Sequence, residues 1–172
     1  MKKQFSELTK DQERKALAVH RETVVIDGLA CPVEKREQFS RMVDGGVTAC
    51  NWTISEILHQ DLRGGIRNFT RWYSLLRENS DKTTFVGSTE DIMEATKKNK
   101  LGIVFGLQDP APIENDITNL EALQRLGVRV IQLTYNNRNL IGDGCMEETD
   151  VGLSTFGKRI VEEMNRLGIL ID

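Results

Sequence analysis

Three times along the chain an amphipathic stretch ends in glycine and a β-branched apolar run begins at once. Asp44-Gly45-Gly46 precedes Val47-Thr48-Ala49-Cys50-Asn51-Trp52-Thr53, Arg125-Leu126-Gly127 precedes the run 128–134, and Arg166-Leu167-Gly168 precedes Ile169-Leu170-Ile171-Asp172. Glycine just past a helix accepts the left-handed conformation without a Cβ penalty, so each junction reads as helix passing into strand. The stretches that lead in carry helical period: Leu120, Leu123 and Leu126 in one, and Phe156, Ile160, Val161, Met164 and Leu167 in another. A longer pattern, Leu58, Leu62, Ile66, Phe69, Trp72, Tyr73 and Leu76, is also helical, with Gly64-Gly65 expected to kink or interrupt it. Two more strands are predicted at 23–26 and 101–107, and Ser88 ahead of Glu90-Asp91 marks the N-cap of a helix ending near Lys98.

Strand and helix thus alternate about five times, and runs apolar on both faces belong to parallel βαβ units. Two architectures satisfy this pattern. An open doubly wound sheet is complete at 172 residues, whereas a (β/α)8 barrel takes about 250. The run 169–172 reads as a buried strand with no helix to cover it, so the chain looks interrupted. The expectation is an α/β fold, the N-terminal part, about five βα units, of a (β/α)8 TIM-type barrel. Residues 1–172 then form one incomplete barrel domain, with 1–22 as a leading helix packing on it.

Charge and cysteines narrow the class. The 23 Lys+Arg against 26 Asp+Glu include no basic block, which argues against nucleic acid as a partner. Cys31, Cys50 and Cys145 are odd in number and lack CxxC spacing, as expected of a reducing, cytoplasmic setting rather than a disulfide framework or zinc knuckle. Residues 1–21 hold no unbroken apolar stretch, and no run reaches about 18 apolar residues, so neither a signal peptide nor a membrane partner is expected.

In either architecture ligands meet the loops at the C-terminal ends of the strands. Those positions are 27–31, 52–55, 108–110 and 135–145, and they carry no carboxylate-histidine cluster with metal-ligand spacing. His20 and His59 fall away from strand ends and read as surface or packing residues. Asp27 reads as a turn or capping carboxylate ahead of a metal ligand or base. Cys31 and Cys145 read as inert thiols ahead of ligands or nucleophiles, and Glu147-Glu148 with Asp150 as a solvated acidic loop.

Val24-Val25-Ile26-Asp27-Gly28 resembles the opening strand of the membrane (renal) dipeptidase family of zinc hydrolases. The stretch 123–133 with Thr134-Tyr135-Asn136-Asn137, and then Gly152-Leu153-Ser154-Thr155-Phe156-Gly157 running on to Asp172, resembles the family's middle segment. The resemblance implies a barrel in which metal-activated water attacks the carbonyl of a dipeptide or related small amide. Carried over position by position, it also implies a loss. The zinc-binding His-x-Asp pair falls on Leu29-Ala30-Cys31, the bridging glutamate on Gln108 and the substrate-contacting histidine on Tyr135. The remaining metal histidines follow the strand that stops at Asp172. A subgroup with Leu after the Asp-Gly, a Gln, a Thr-Tyr-Asn-Asn and a Gly-Asp-Gly-Cys stretch is similar to this chain. The resemblance therefore implies zinc in the family but none bound by this chain, no catalytic residue identified in it, and inactivity by itself. Gln108, Tyr135, Asn136 and Asn137 are expected on the mouth, where they either orient a small polar substrate such as a dipeptide or satisfy loop backbone. The competing function is a non-catalytic small-molecule-binding or interaction module derived from the barrel, and a self-contained five-stranded binding domain is a third reading. An open barrel edge makes a homo-oligomer the expected assembly.

Overall fold

A computed structural model of the chain describes residues 8–30, 35–55 and 61–172. In chain order the elements are α1 (Lys10–Glu22), β1 (Ile26–Ala30), α2 (Arg36–Asp44), β2 (Ala49–Thr53), α3 (Leu62–Glu78), β3 (Thr83–Val86), α4 (Thr89–Lys97), β4 (Leu101–Leu107), α5 (Asn119–Arg125), β5 (Val128–Ile131), α6 (Thr155–Leu167) and β6 (Leu170–Ile171). All the strands pair in parallel, in the order β1-β2-β4-β5-β6. β2 takes Gly102 to Gly106 along one edge of β4. The other edge is shared, its first half by β3 at Leu101 to Val104 and its second by β5 at Phe105 to Leu107.

Register shows which face is filled. Cys50 and Trp52 lie beside Ile103 and Phe105, and Leu107 lies beside Ile131, all pointing one way. They share one core with Phe39 and Met42 of α2, Phe69 and Trp72 of α3, Leu120 and Leu123 of α5, and Ile160 and Met164 of α6. The opposite face carries Ala49, Asn51, Gly102 and Gly106, and at its margins Ile26 and Leu170 are 54% and 62% exposed. A doubly wound sheet is covered by helices on both faces, whereas a barrel sheet has helices outside and side chains within. The arrangement is that of the N-terminal part of a TIM-type barrel.

Several local expectations shift. The first strand runs over Ile26–Ala30 rather than 23–26. Thr23 is the C-cap of α1, and the Val25 N–H goes to the Thr48 hydroxyl at 3.1 Å, so strand pairing begins only at Ile26 opposite Ala49. β3 was not anticipated, since Thr83-Thr84-Phe85-Val86 is short, half threonine and paired along one edge only. Gly64-Gly65 sits in the first turn of α3 rather than at a kink: Asp61 accepts from the Gly64 N–H at 2.7 Å, and the Pro112 ring comes within 3.6 Å of where a Gly65 Cβ would stand. Ser88 caps α4 as expected, accepting from the Asp91 N–H, and Gly168 ends α6 at φ 68°, ψ 34°. α1, closed at its start by a Thr9–Gln12 capping box, has no buried residue and meets the next unit where His20 Nε2 lies 2.9 Å from the Gly45 carbonyl oxygen.

One exposed ion pair fixes a pH response. The Arg36 guanidinium grips Asp81 through both oxygens, at 2.9 and 2.5 Å, and joins α2 to the turn ahead of β3. Its hydrogen bond holds the Asp81 carboxyl at about 2, below the ordinary 3.8. A carboxyl depressed on folding stabilises the native state above its unfolded value, and that contribution disappears as pH falls through the folded one. Urea midpoints of the parent are therefore expected to drop between pH about 4 and about 2 by more than those of Asp81→Asn. Parallel profiles would show that the pair contributes nothing.

Candidate active site at the barrel mouth

The mouth is built from the segments that follow the strands, and its first feature is a break in pairing. Asp27 lies opposite Cys50 but Ala30 lies opposite Trp52, so β1 carries one extra residue there. With Ala30 turned toward the helices beside Trp52, Leu29 falls on the inner face, 40% exposed. Asn51 bridges the irregularity, its amide donating to the Gly28 carbonyl at 3.0 Å. The Asn51 Oδ1 is buried without a hydrogen-bond partner and presses on Gly106, where a Cβ would overlap it. Glycine at 106 is thus a requirement of close approach, and the sequence alone offered no sign of Asn51.

Asp27 takes the turn role expected of it, its Oδ1 accepting from the Leu29 N–H at 3.1 Å. Cys50, on the helix side of β2, is pushed up to about 12 by burial and, secondarily, by the Asp27 charge, so its thiol is unreactive. Cys145 is exposed and free. Cys31 and His59 lie outside the described residues.

Gln108 directly follows β4 and is half-buried. The segment 133–154 leads from β5 to α6, held by its own polar groups, with Asn139, Leu140 and Ile141 beside the loop after β4. Tyr135 and Asn136 offer their carbonyls to the N–H groups of Cys145 and Met146 at 3.1 and 2.9 Å. Asn139 donates to the Leu133 carbonyl at 3.0 Å and accepts from Ile141 N–H at 2.7 Å and Gly142 N–H at 3.2 Å. Asp143 accepts from Val151 N–H at 2.7 Å and pairs with Arg138; the backbone contact and then the guanidinium hold its carboxyl below the usual range. Glu147 accepts from the Arg138 N–H at 2.6 Å and Asp150 from the Gly152 N–H at 2.8 Å, so these two acidic residues organise the loop rather than only solvating it. Asx geometry around Asn139-Leu140-Ile141-Gly142 was the available sequence signal for this knot.

Against that background, Gln108, Tyr135 and Asn137 stand apart: their side chains make no hydrogen bond to another described residue. The Asn136 side chain has, among the described residues, only the Cys145 thiol, at 3.7 Å from its Oδ1. Asp109, by contrast, turns back to cap the Ala111 N–H at 2.8 Å.

Catalytic zinc takes three protein ligands, with imidazole, carboxylate or thiolate donors. Among the described residues no group of three or more His, Cys, Asp or Glu is placed to hold a metal. Leu29 has no donor atom, and Gln108 offers a neutral amide in place of a bridging carboxylate. The residues described do not fit a zinc centre.

An arc of parallel strands with helices outside and polar loops at the strand ends defines the chain as part of a TIM-type barrel of the kind that hosts enzymes at its C-terminal face. The family model for Membrane dipeptidase (Peptidase family M19) matches residues 13–172, and the chain belongs to that family. It is 28% identical over 126 residues to dipeptidase verJ of Clonostachys rogersoniana, covering 72% of this chain and 32% of that protein. With dipeptidase tcpJ of Claviceps purpurea it shares 25% over 146 residues, covering 77% and 34%. Among solved structures, an amidohydrolase from Pseudomonas aeruginosa superposes with a TM-score of 0.84 at 42% identity, over 91% of this chain and 47% of that one. The probable dipeptidase PvdM of Pseudomonas aeruginosa matches with a TM-score of 0.80 at 18% identity, a likeness of fold, over 96% and 50%. The chain thus spans about a third of the length of these curated relatives and about half of these solved structures. No helix of the described residues is long and apolar enough to cross a membrane.

Proposed function

We propose that this chain forms the substrate-orienting part of a dipeptidase-like metallohydrolase barrel acting on dipeptides or related small amides, and that by itself it holds its ligand without turning it over. The observation that carries the reading is that the side chains of Gln108, Tyr135 and Asn137, in the segments after β4 and β5, make no hydrogen bond to another described residue. Gln108 and Tyr135 are half-buried and Asn137 is exposed; a half-buried polar group tends to be paired, so Gln108 and Tyr135, without a hydrogen bond to another described residue, are suited to a polar ligand. The Gln108 amide offers both a donor and an acceptor to a peptide group, and the Tyr135 hydroxyl offers the same in one atom. The donor-poor positions Leu29 and Gln108 favour, as a second reading, a binding module derived from the barrel. Both readings share the same ligand chemistry. A reducing, cytoplasmic setting accords with the free thiols of Cys50 and Cys145.

Titration with glycylglycine, followed by amide resonances, tests the site. Shifts are expected at Gln108, Tyr135 and Asn137, and Gln108→Ala should weaken binding about tenfold, the loss of roughly one hydrogen bond to a polar ligand. Shifts unaffected by Gln108→Ala and Tyr135→Phe would remove these residues from the site.

We further propose that the chain self-associates. Among the described residues β1 and β6 each pair along one edge only, and Ile26 and Leu170 expose apolar surface beside the other edges. Light scattering after size exclusion is expected to give a mass of at least twice 19.5 kDa. A sharp monomer peak with cooperative thermal unfolding would support a self-contained sheet instead.

A further inference from the structure

Leu140 is 57% exposed in a segment that is otherwise tied down on all sides: Asn139 is anchored before it, Ile141 is buried after it, and its own carbonyl accepts from the Ser154 hydroxyl at 2.6 Å. Its exposure therefore does not come from a loose loop. With Pro110, Ala111 and Ile141 it walls a cleft of about 140 Å3 between the loop after β4 and the loop after β5, beginning one residue beyond Gln108. The polar residues of the same cleft are engaged elsewhere. Asn139 uses its amide on Leu133, Ile141 and Gly142; Asp109 caps Ala111; and a Glu114 oxygen accepts from the Leu62 N–H at 3.1 Å, at the start of α3. What is left facing the space is chiefly the hydrocarbon of Pro110, Ala111, Leu140 and Ile141.

We propose that this cleft is a specificity subsite for one small aliphatic side chain of the ligand, with Leu140 as the specificity-determining residue. The reading rests on the proposed mouth at Gln108 and Tyr135, which would hold the adjoining amide. Size sets the class. An apolar cavity of about 150 Å3 holds one benzene, so a cleft of about 140 Å3 is sized for a valine- or leucine-sized group rather than the larger indole. Each methylene that fills such a pocket changes binding by about tenfold or more, so discrimination among side chains is expected to be steep.

The test uses the full chain and five probes: the N-acetyl amides of alanine, valine, leucine, lysine and tryptophan, each titrated while amide resonances are followed. Valine and leucine probes are expected to shift Ala111, Leu140 and Ile141 together with Gln108, and to bind at least about tenfold tighter than the alanine and tryptophan probes. Leu140→Asn, at an exposed position that should not disturb folding, is expected to erase that preference, and Leu140→Met to keep it. Shifts at Gln108 and Tyr135 with no side-chain preference would overturn the subsite and leave the mouth standing. Preference for the lysine probe would overturn it too, by assigning the cleft to the Asp109 and Glu114 carboxylates. Shifts at Ala111 and Leu140 with none at Gln108 or Tyr135 would instead overturn the mouth reading while sparing the cleft.

Discussion

Phe105→Ala is expected to destabilise the chain by about 3–5 kcal/mol, the range for deleting a buried aromatic side chain and leaving a cavity. Phe105 is fully buried at the centre of β4, the strand that touches β2, β3 and β5. Its ring lies 5.1 Å from that of Phe85, 5.3 Å from Tyr73, 6.1 Å from Trp72 and 6.2 Å from Phe69, all by centroids and all edge-on or tilted. Such pairs add about 0.5–1.5 kcal/mol each beyond area burial, so the upper end of the range is the better expectation. A domain of ordinary stability has about 5–15 kcal/mol in all, and the loss would be a large share of it. Urea unfolding followed by tryptophan fluorescence measures the effect, because Trp52 and Trp72 share the same core. Phe105→Leu should cost less than half as much, since it keeps most of the volume. A change under about 1 kcal/mol for Phe105→Ala would mean that the core closes over the gap and that β4 is not its centre.

The glycine junctions and the helical spacings were legible because each is local: a left-handed residue at Gly168, or an apolar residue every third or fourth position before it, depends on nothing distant. What was not legible depends on partners far along the chain. β3 is a strand because Leu101 to Val104 lie beside it, not because Thr83-Thr84-Phe85-Val86 carries a strong pattern. Gly64-Gly65 looks like a helix breaker until Pro112, nearly fifty residues on, is seen to need the room. The same holds at the mouth. Gln108, Tyr135, Asn136 and Asn137 are expected on the rim from their positions after strand ends, but only the network around Asn139 and Asp143 separates groups committed to the loop from groups without a hydrogen bond to another described residue. Asn51, which spans the β1 irregularity and demands glycine at 106, gives no sign of either role in its own sequence neighbourhood.

The 172-residue chain is expected to retain no stoichiometric zinc and to hydrolyse dipeptides no faster than a blank, although its family is named for that activity. The argument is one of donor chemistry. Zinc needs deprotonated or lone-pair donors converging at about 2.0–2.3 Å. At the strand ends, Leu29 supplies hydrocarbon and Gln108 a neutral amide, while Asp27 is turned onto the Leu29 N–H and Asp109 onto the Ala111 N–H. The Cys50 thiol is pushed up to about 12 and lies on the helix side of β2, and the exposed Cys145 thiol donates to the Asn136 Oδ1 at 3.7 Å. Two changes should act in the opposite direction: Leu29→His with Gln108→Glu restores an imidazole and a carboxylate at those positions, and is expected to raise zinc affinity at least tenfold over the parent, most strongly above pH about 6.5 where the imidazole is neutral. Metal analysis of protein purified without a histidine tag, then a dipeptide assay with zinc, manganese and cobalt added, provides the direct comparison. Stoichiometric metal in the parent, with turnover abolished by Cys31→Ala, would overturn the expectation and make Cys31 a ligand.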